Sequence, residues 1–206
     1  MNERTPTVFI VDDDAAVRKA VSRLLLAKGI EVAVFASPSE YLAAHDPDAP
    51  GCLLLDLELP GINGLELQQI LASRGGTLPI IFLSAHGDVP ISVQAMKNGA
   101  VDFLTKPVHH EVLGAAVAAA FEKDRKNRLA RAEVAGINAR LASLTPRERE
   151  VLDHVVRGQL NKQIAGDLGT GEHTVKVHRA RVMEKMKVES LADLVRLVER
   201  ARDSRR

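Results

Sequence analysis

Four short apolar runs, each stopped by a polar residue, restrict this chain more than any other feature. Val8-Phe9-Ile10-Val11 ends at Asp12-Asp13-Asp14, and Cys52-Leu53-Leu54-Leu55 ends at Asp56. Ile80-Ile81-Phe82-Leu83 ends at Ser84, and Val101-Asp102-Phe103-Leu104-Thr105 ends at Lys106. Runs this short are strands, and those without alternation are strands covered on both faces. In an open parallel sheet the carboxyl ends of all strands share one edge, where such folds place ligand chemistry. The four polar stops are therefore expected to meet in one phosphate-handling pocket.

Strands are expected near 8–11, 31–35, 52–55, 80–84 and 101–105, with crossover helices between them. Asp14 is placed to cap a helix whose apolar positions are Val17, Val21, Leu24 and Leu25, with Gly29 as its stop. Ser37-Pro38-Ser39-Glu40 reads as a capping box with proline at the first helical position. Asp88 precedes a helical pattern of Ile91, Ala95 and Met96 that closes near Asn98-Gly99, and Pro60 and Gly64 lie in the loop after Asp56. The expected fold is α/β: a five-stranded, doubly wound, flavodoxin-like parallel sheet over residues 1–120.

Beyond Val112 the chain turns alanine-rich and then charged, with neither glycine nor proline between Glu122 and Gly136. A helical linker over 121–143, able to transmit orientation between the halves, is expected. Residues 144–206 then read as four helices. Thr145-Pro146-Arg147-Glu148 is a second capping box, followed by Val151, Leu152 and Val155 on one face and by the stop Gly158. A short helix from Asn161 to Leu168, the turn Gly169-Thr170-Gly171, and a third helix from Glu172 to about Lys187 make a helix-turn-helix. The fourth helix starts at Ser190 and carries Leu191, Leu194, Val195 and Val198 on one face.

The formal net charge of +1 conceals an asymmetry: −6 over residues 1–120, +3 over 121–143 and +4 over 144–206. Opposite signs suggest separate tasks, and a basic carboxyl-terminal part points mildly to nucleic acid. Cys52 is the only cysteine, which excludes an internal disulfide and a cysteine-rich zinc site, and its apolar run marks it as a core residue. The amino terminus has no apolar signal segment and no stretch is long enough to span a membrane, so a cytoplasmic protein without a membrane partner is expected.

An aspartate attacks a phosphorylated donor when its neighbours position the phosphoryl group and neutralise its charge. Asp12, Asp13 and Asp56 in one cleft would repel one another without a cation, and oxygen donors in a partly hydrated cluster suit Mg²⁺. Lys106 is suited to pair with one phosphoryl oxygen and the Ser84 hydroxyl to bond another. Alone, an Asp triplet before a helix is more often a cap plus solvated charge; four polar residues at four strand ends shift that balance.

On the third helix, 100° steps put Val175, Val182 and Met186 on the packing side and Lys176, Val177, Ala180, Met183 and Lys187 on the other. The second stripe is the candidate for the major groove. There Lys176 is suited to a guanine edge or a phosphate, and Val177 and Ala180 to thymine methyl groups. Arg179 falls nearer the packing side and is expected to snorkel toward phosphate, while Arg181, Lys185 and Lys162 are backbone candidates. A solvated basic face is the bland alternative.

These motifs carry a resemblance. Residues 8–120 resemble the receiver domain of two-component response regulators, and 145–203 resemble the LuxR/NarL type of DNA-binding domain. The pairing, with His86-Gly87-Asp88-Val89-Pro90 and Val177-His178-Arg179-Ala180, is most similar to the FixJ subgroup. The resemblance implies that Asp56 is phosphorylated by a sensor histidine kinase and that Asp12 and Asp13 hold Mg²⁺ with the backbone carbonyl of Glu58. It implies that Lys106 is the family lysine and that Ser84 and Phe103 form the switch pair, with serine and phenylalanine for the commoner threonine and tyrosine. It also implies a cis Lys106-Pro107 bond. Lys162, Lys176 and His178 match the DNA-binding motif, promoter DNA and RNA polymerase are the implied partners, and the phosphorylated form is implied to be a homodimer through the fourth helix, unless those apolar residues only complete the core. Two departures stand out: Gly171 at a cap position that favours serine, and Arg181 where the subgroup often has asparagine, which leaves the preferred DNA sequence open.

Two other functions compete with a phosphorylation-activated, non-enzymatic regulator. An aspartate-nucleophile phosphatase uses similar groups, but wants a second aspartate two residues after the nucleophile, where this chain has Glu58. A regulator that binds DNA without phosphorylation would keep the first domain as a dimerisation unit.

Overall fold

The structure is a computed structural model that describes residues 4–85 and 89–203. Strands β1 (Thr7–Val11), β2 (Glu31–Phe35), β3 (Gly51–Asp56), β4 (Ile80–Ser84) and β5 (Asp102–Thr105) pair in parallel in the order β2-β1-β3-β4-β5. Helices α1 (Ala15–Leu26), α2 (Pro38–Ala44), α3 (Gly64–Ser73) and α4 (Val89–Lys97) form the crossovers, and α5 (His110–Ala142) leaves the last strand. This is the doubly wound α/β sheet expected from the apolar runs, with strand ends within a residue of those read from sequence.

Alternation along the buried strands builds a core on each face of the sheet. Val8, Ile10, Cys52, Leu54, Ile81 and Leu83 pack with Val21, Leu25, Leu113 and Val117 on one face. Val11, Leu53, Leu55 and Phe82 pack with Leu67, Leu71 and Ala95 on the other. Every residue of β3 and β4 is buried, which explains why those runs do not alternate in sequence. Each fully buried leucine contributes ~1.5–3 kcal/mol relative to an exposed one. Cys52 is a core residue, and burial pushes its thiol up to about 12.

The caps follow the local chemistry with two differences. Asp14 caps α1 through Ala16 N–H at 2.7 Å. Ser37 accepts from Glu40 N–H, but the Glu40 carboxylate reaches back to Ala36 N–H instead of closing the reciprocal box. The loop assigned to Gly64 is instead the start of α3, where Asn63 and Glu66 form a complete capping box. An added Cβ on Gly64 would lie 2.4 Å from the Asp56 carbonyl oxygen, so glycine is what allows α3 to begin against the end of β3. The expected helix start at Asp88, and the motif around His86 and Gly87, lie outside the described residues.

The chain divides into two compact units near Arg128/Leu129. In the first, polar side chains of α5 bind the floor of the sheet. Asp124, 5% exposed, accepts from Gly51 N–H at 3.0 Å, Lys123 Nζ donates to the Gly99 carbonyl, and Arg128 donates to the Asp48 carbonyl at 2.6 Å. Asp124→Ala leaves the buried Gly51 N–H without this acceptor and is expected to cost ~1–3 kcal/mol in urea unfolding.

The second unit contains the end of α5 and α6 (Pro146–Val156), α7 (Asn161–Asp167), α8 (Glu172–Met186) and α9 (Leu191–Asp203). Its core joins Val151, Leu152, Ile164, Val175, Val182, Met186, Leu194 and Val198 with Ile137 of α5. The segment read as a linker is thus helical, and its two ends contribute to packed units. Among the described residues, no helix is long and apolar enough to cross a membrane.

Candidate phosphoacceptor site and nucleic-acid interface

Register places the polar strand ends side by side. Val11 pairs with Leu55, Asp56 with Leu83, and Ser84 with Thr105, so Asp12, Asp56, Ser84 and Lys106 line up along the carboxyl edge. Lys106 Nζ donates to Asp12 Oδ2 at 2.7 Å and to Asp56 Oδ2 at 2.9 Å. Asp12 is fully buried and Asp56 5% exposed, so these are bonds in a weakly solvated cleft.

Further backbone groups hold the two carboxylates. Asp12 Oδ1 accepts from Asp14 N–H at 2.9 Å, and Asp56 Oδ1 accepts from Glu58 N–H at 3.3 Å. Burial pushes the Asp56 carboxyl above its ordinary value, against the Lys106 hydrogen bond that pulls it down. Burial alone would lower Lys106, but its bonds to Asp12 and Asp56 outweigh that and hold the ammonium above its usual range.

Asp13 completes the cluster: one oxygen from each of Asp12, Asp13 and Asp56 lies within 4.8 Å of the others. Three carboxylates share one ammonium, which leaves the oxygens of the cluster with an excess of negative charge that a cation can offset. All three donors are hard oxygens and Asp13 is exposed, which suits a cation that keeps part of its water.

Ser84 is buried at the end of β4, and its carbonyl accepts from Lys106 N–H at 2.7 Å. Phe103 is half-buried, its ring centroid 6.3 Å from that of Phe82. Lys106-Pro107 is cis, as the resemblance implied. Arg18 carries no signal in the sequence, yet its Nη1 donates to the Asp12 carbonyl at 2.7 Å. No local pattern marks that contact, because it depends on where α1 leaves the sheet.

In the second unit α8 shows the expected division. Val175, Val182 and Met186 are fully buried, while Lys176, Ala180 and Arg181 are exposed and Val177 is 37% exposed. Met183, read onto the outer stripe, packs partly against the core instead. Lys162 of α7 is exposed. Arg179 donates to Asn161 Oδ1 at 3.1 Å and so ties α8 to α7, and His178 is half-buried with no partner for Nδ1 among the described residues. The turn between α7 and α8 takes Gly169 at φ 60°, and Gly171 precedes α8 without a side-chain cap.

Lys185 and α9 also make contacts within the domain. Lys185 Nζ binds the buried Glu148 carboxylate at 2.6 Å and the Ser143 carbonyl at 3.2 Å, so a phosphate contact would have to break an intradomain pair. Leu194 and Val198 are buried in the core with Leu191 packed beside them, so these three complete the domain, the alternative that the sequence left open, while Val195 on the same face is half-buried outside that core cluster.

Glu148 also gives this unit a pH dependence. Lys185 first, and Thr145 N–H second, hold its carboxyl below the ordinary 4.5. A carboxyl whose folded value lies below its unfolded one stabilises fully above the unfolded value, and this is lost as pH falls toward the folded value. Protection factors of α6 and α8 amides, corrected for the intrinsic exchange rate at each pH, are expected to fall as pH drops below about 4.5, and Glu148→Gln is expected to flatten that dependence.

Comparison with known proteins agrees with both halves. The family described as "Response regulator receiver domain" matches residues 8–118, and "Bacterial regulatory proteins, luxR family" matches 142–198. The chain is 47% identical over 192 residues to nodulation protein W of Bradyrhizobium diazoefficiens, covering 93% of this chain and 85% of that protein. It is 43% identical over 197 residues to the transcriptional regulatory protein FixJ of Azorhizobium caulinodans, covering 96% and 93%. Among solved structures, response regulator StyR is 45% identical with a TM-score of 0.83, covering 95% of this chain and 99% of that one. Full-length FixJ from B. japonicum is 39% identical with a TM-score of 0.59, covering 96% and 98%.

Proposed function

The chain belongs to the response regulator receiver family, with a luxR-family DNA-binding domain, and from that membership we propose how this phosphorylation-dependent transcription regulator works: Asp56 accepts the phosphoryl group of a sensor histidine kinase. The observation that carries the proposal is the Lys106 ammonium bonded to both Asp12 and Asp56, with the Asp13 carboxylate beside them. Asp12, Asp13, Asp56 and the backbone carbonyl of Glu58 would hold Mg²⁺. That ion, when bound, neutralises charge on the carboxylates and the phosphoryl oxygens.

An Asp56 carboxylate oxygen attacks phosphorus and forms the P–O bond. The P–N bond to the kinase imidazole breaks, and its electron pair stays on the nitrogen, which leaves as neutral imidazole when the other ring nitrogen carries a proton. Asp56 is an acceptor here, not the nucleophile of a turning-over phosphatase. The acyl phosphate adds charge and acceptors, which the Lys106 ammonium and the Ser84 hydroxyl satisfy in one conformation only, and Phe103 turns inward with that rearrangement. Moving a population from 1:99 to 99:1 takes about 5.5 kcal/mol. Two or three charge-assisted hydrogen bonds at ~1.5–3 kcal/mol each are of that size.

In the DNA-binding unit, Lys176, Val177 and Ala180 face the major groove, and Lys162 and Arg181 contact phosphates. His178 and Arg179 act from the margin, since one is half-buried and the other braces Asn161. Lys185 is left out of the contact set because of its Glu148 pair. The phosphorylated chain acts in the cytoplasm as a homodimer on promoter half-sites about one helical turn apart and engages RNA polymerase.

Fragments selected from genomic DNA, with and without a small phosphodonor, test the proposal. Specific binding is expected to rise with the donor. Lys176→Ala is expected to lower affinity for a selected site by ~1–3 kcal/mol. An equal loss on random DNA would assign Lys176 to a phosphate instead of a base.

A further inference from the structure

We propose that Arg18 is a positioning residue for the divalent-cation site: its guanidinium fixes the peptide that aims the Asp13 carboxylate, and through it sets the affinity of the site for the ion. The inference rests on the reading of Asp12, Asp13 and Asp56 as a Mg²⁺ site.

Arg18 lies one turn into α1. Its backbone N–H donates to the Asp14 carbonyl at 3.0 Å, while its side chain turns back over that first turn to the Asp12 carbonyl at 2.7 Å. Asp12 is thereby held at three atoms: Oδ1 by Asp14 N–H, Oδ2 by Lys106 and the carbonyl oxygen by Arg18. The first two bonds orient the Asp12 side chain. The third acts on a different group, because the Asp12 carbonyl and the Asp13 N–H belong to one planar peptide. Asp13 is exposed, and the peptide that precedes it sets where its Cα–Cβ bond stands, from which its carboxylate reaches the cluster.

Charge and geometry predict opposite consequences of removing the guanidinium, which makes the role testable. As a bare positive charge near a cation site, Arg18 repels the ion, and its loss would tighten binding. As an outer support of a ligand-bearing peptide it pre-organises the donors, and losing such a support weakens metal affinity by about 10- to 100-fold. Arginine presents its donors in a rigid planar fork, whereas lysine offers the same charge on a flexible stem.

The test is calorimetric titration of the full chain with MgCl₂ for wild type, Arg18→Gln, Arg18→Lys and Asp13→Asn, with melting of each metal-free protein recorded. Arg18→Gln is expected to weaken binding about tenfold or more, and Arg18→Lys to weaken it by less, although it keeps the charge. Arg18→Gln binding as tightly as wild type or tighter, or Arg18→Lys matching wild type, would overturn the inference. If Arg18→Gln does not fold, Arg18→Lys decides alone. Absence of Mg²⁺ binding by wild type, or wild-type binding by Asp13→Asn, would instead defeat the site reading and the inference with it.

Discussion

Asp56→Asn is expected to abolish acid-labile phosphoryl incorporation and to hold promoter affinity at the level of the unphosphorylated protein, whatever donor is added. The substitution keeps the shape of the side chain and its Oδ1 acceptor for Glu58 N–H. It removes the anionic oxygen that Lys106 binds and that attacks phosphorus. A neutral amide is a poor nucleophile and does not form the acyl phosphate, so the fold persists while the signal is lost. Filter binding with a radiolabelled phosphodonor, alongside a titration of promoter DNA, checks both halves. If DNA binding by Asp56→Asn equalled that of the phosphorylated wild type, the protein would be a regulator that needs no phosphorylation.

Lys106→Ala is expected to separate phosphorylation from its consequence. Asp12 and Asp56 lose the ammonium they share, and burial then acts on Asp56 without that opposing partner. Incorporation is expected to slow but persist, since the carboxylate and the cluster around it remain. The phosphorylated state loses the cation that distinguishes it from the unphosphorylated one. Losing ~1.5–3 kcal/mol of bias cuts the gain in DNA affinity on phosphorylation by about ten- to a hundredfold. Labelling and DNA titration on the same sample read the two effects; a gain like that of wild type would remove Lys106 from the switch.

How much of this was legible in the sequence depends on whether the cause was local. Strand ends were readable because helices on both faces demand unbroken apolar runs in β3 and β4, and because register then aligns the polar residues at their carboxyl ends. The inner face of α8 was readable because Val175, Val182 and Met186 keep helical spacing. A crossover helix between β3 and β4 was expected, but its start was missed because Gly64 reads as loop until the Asn63 cap geometry is seen. The Glu148–Lys185 pair joins residues placed together only by tertiary packing, and the Arg18 contact, though local, depends on how the chain turns from β1 into α1. The apolar face of α9 had the right period but left open what covers it, and the domain core covers Leu194 and Val198 while Val195 stays half-buried outside that core cluster.

Peptide mapping after brief exposure of the full chain to a small phosphodonor tests the phosphoacceptor proposal most directly. One phosphoryl group is expected on the peptide that contains Asp56, present with Mg²⁺ and nearly absent when the metal is chelated. Phosphate on a different residue, or labelling of Asp56 that chelation leaves undiminished, would contradict it.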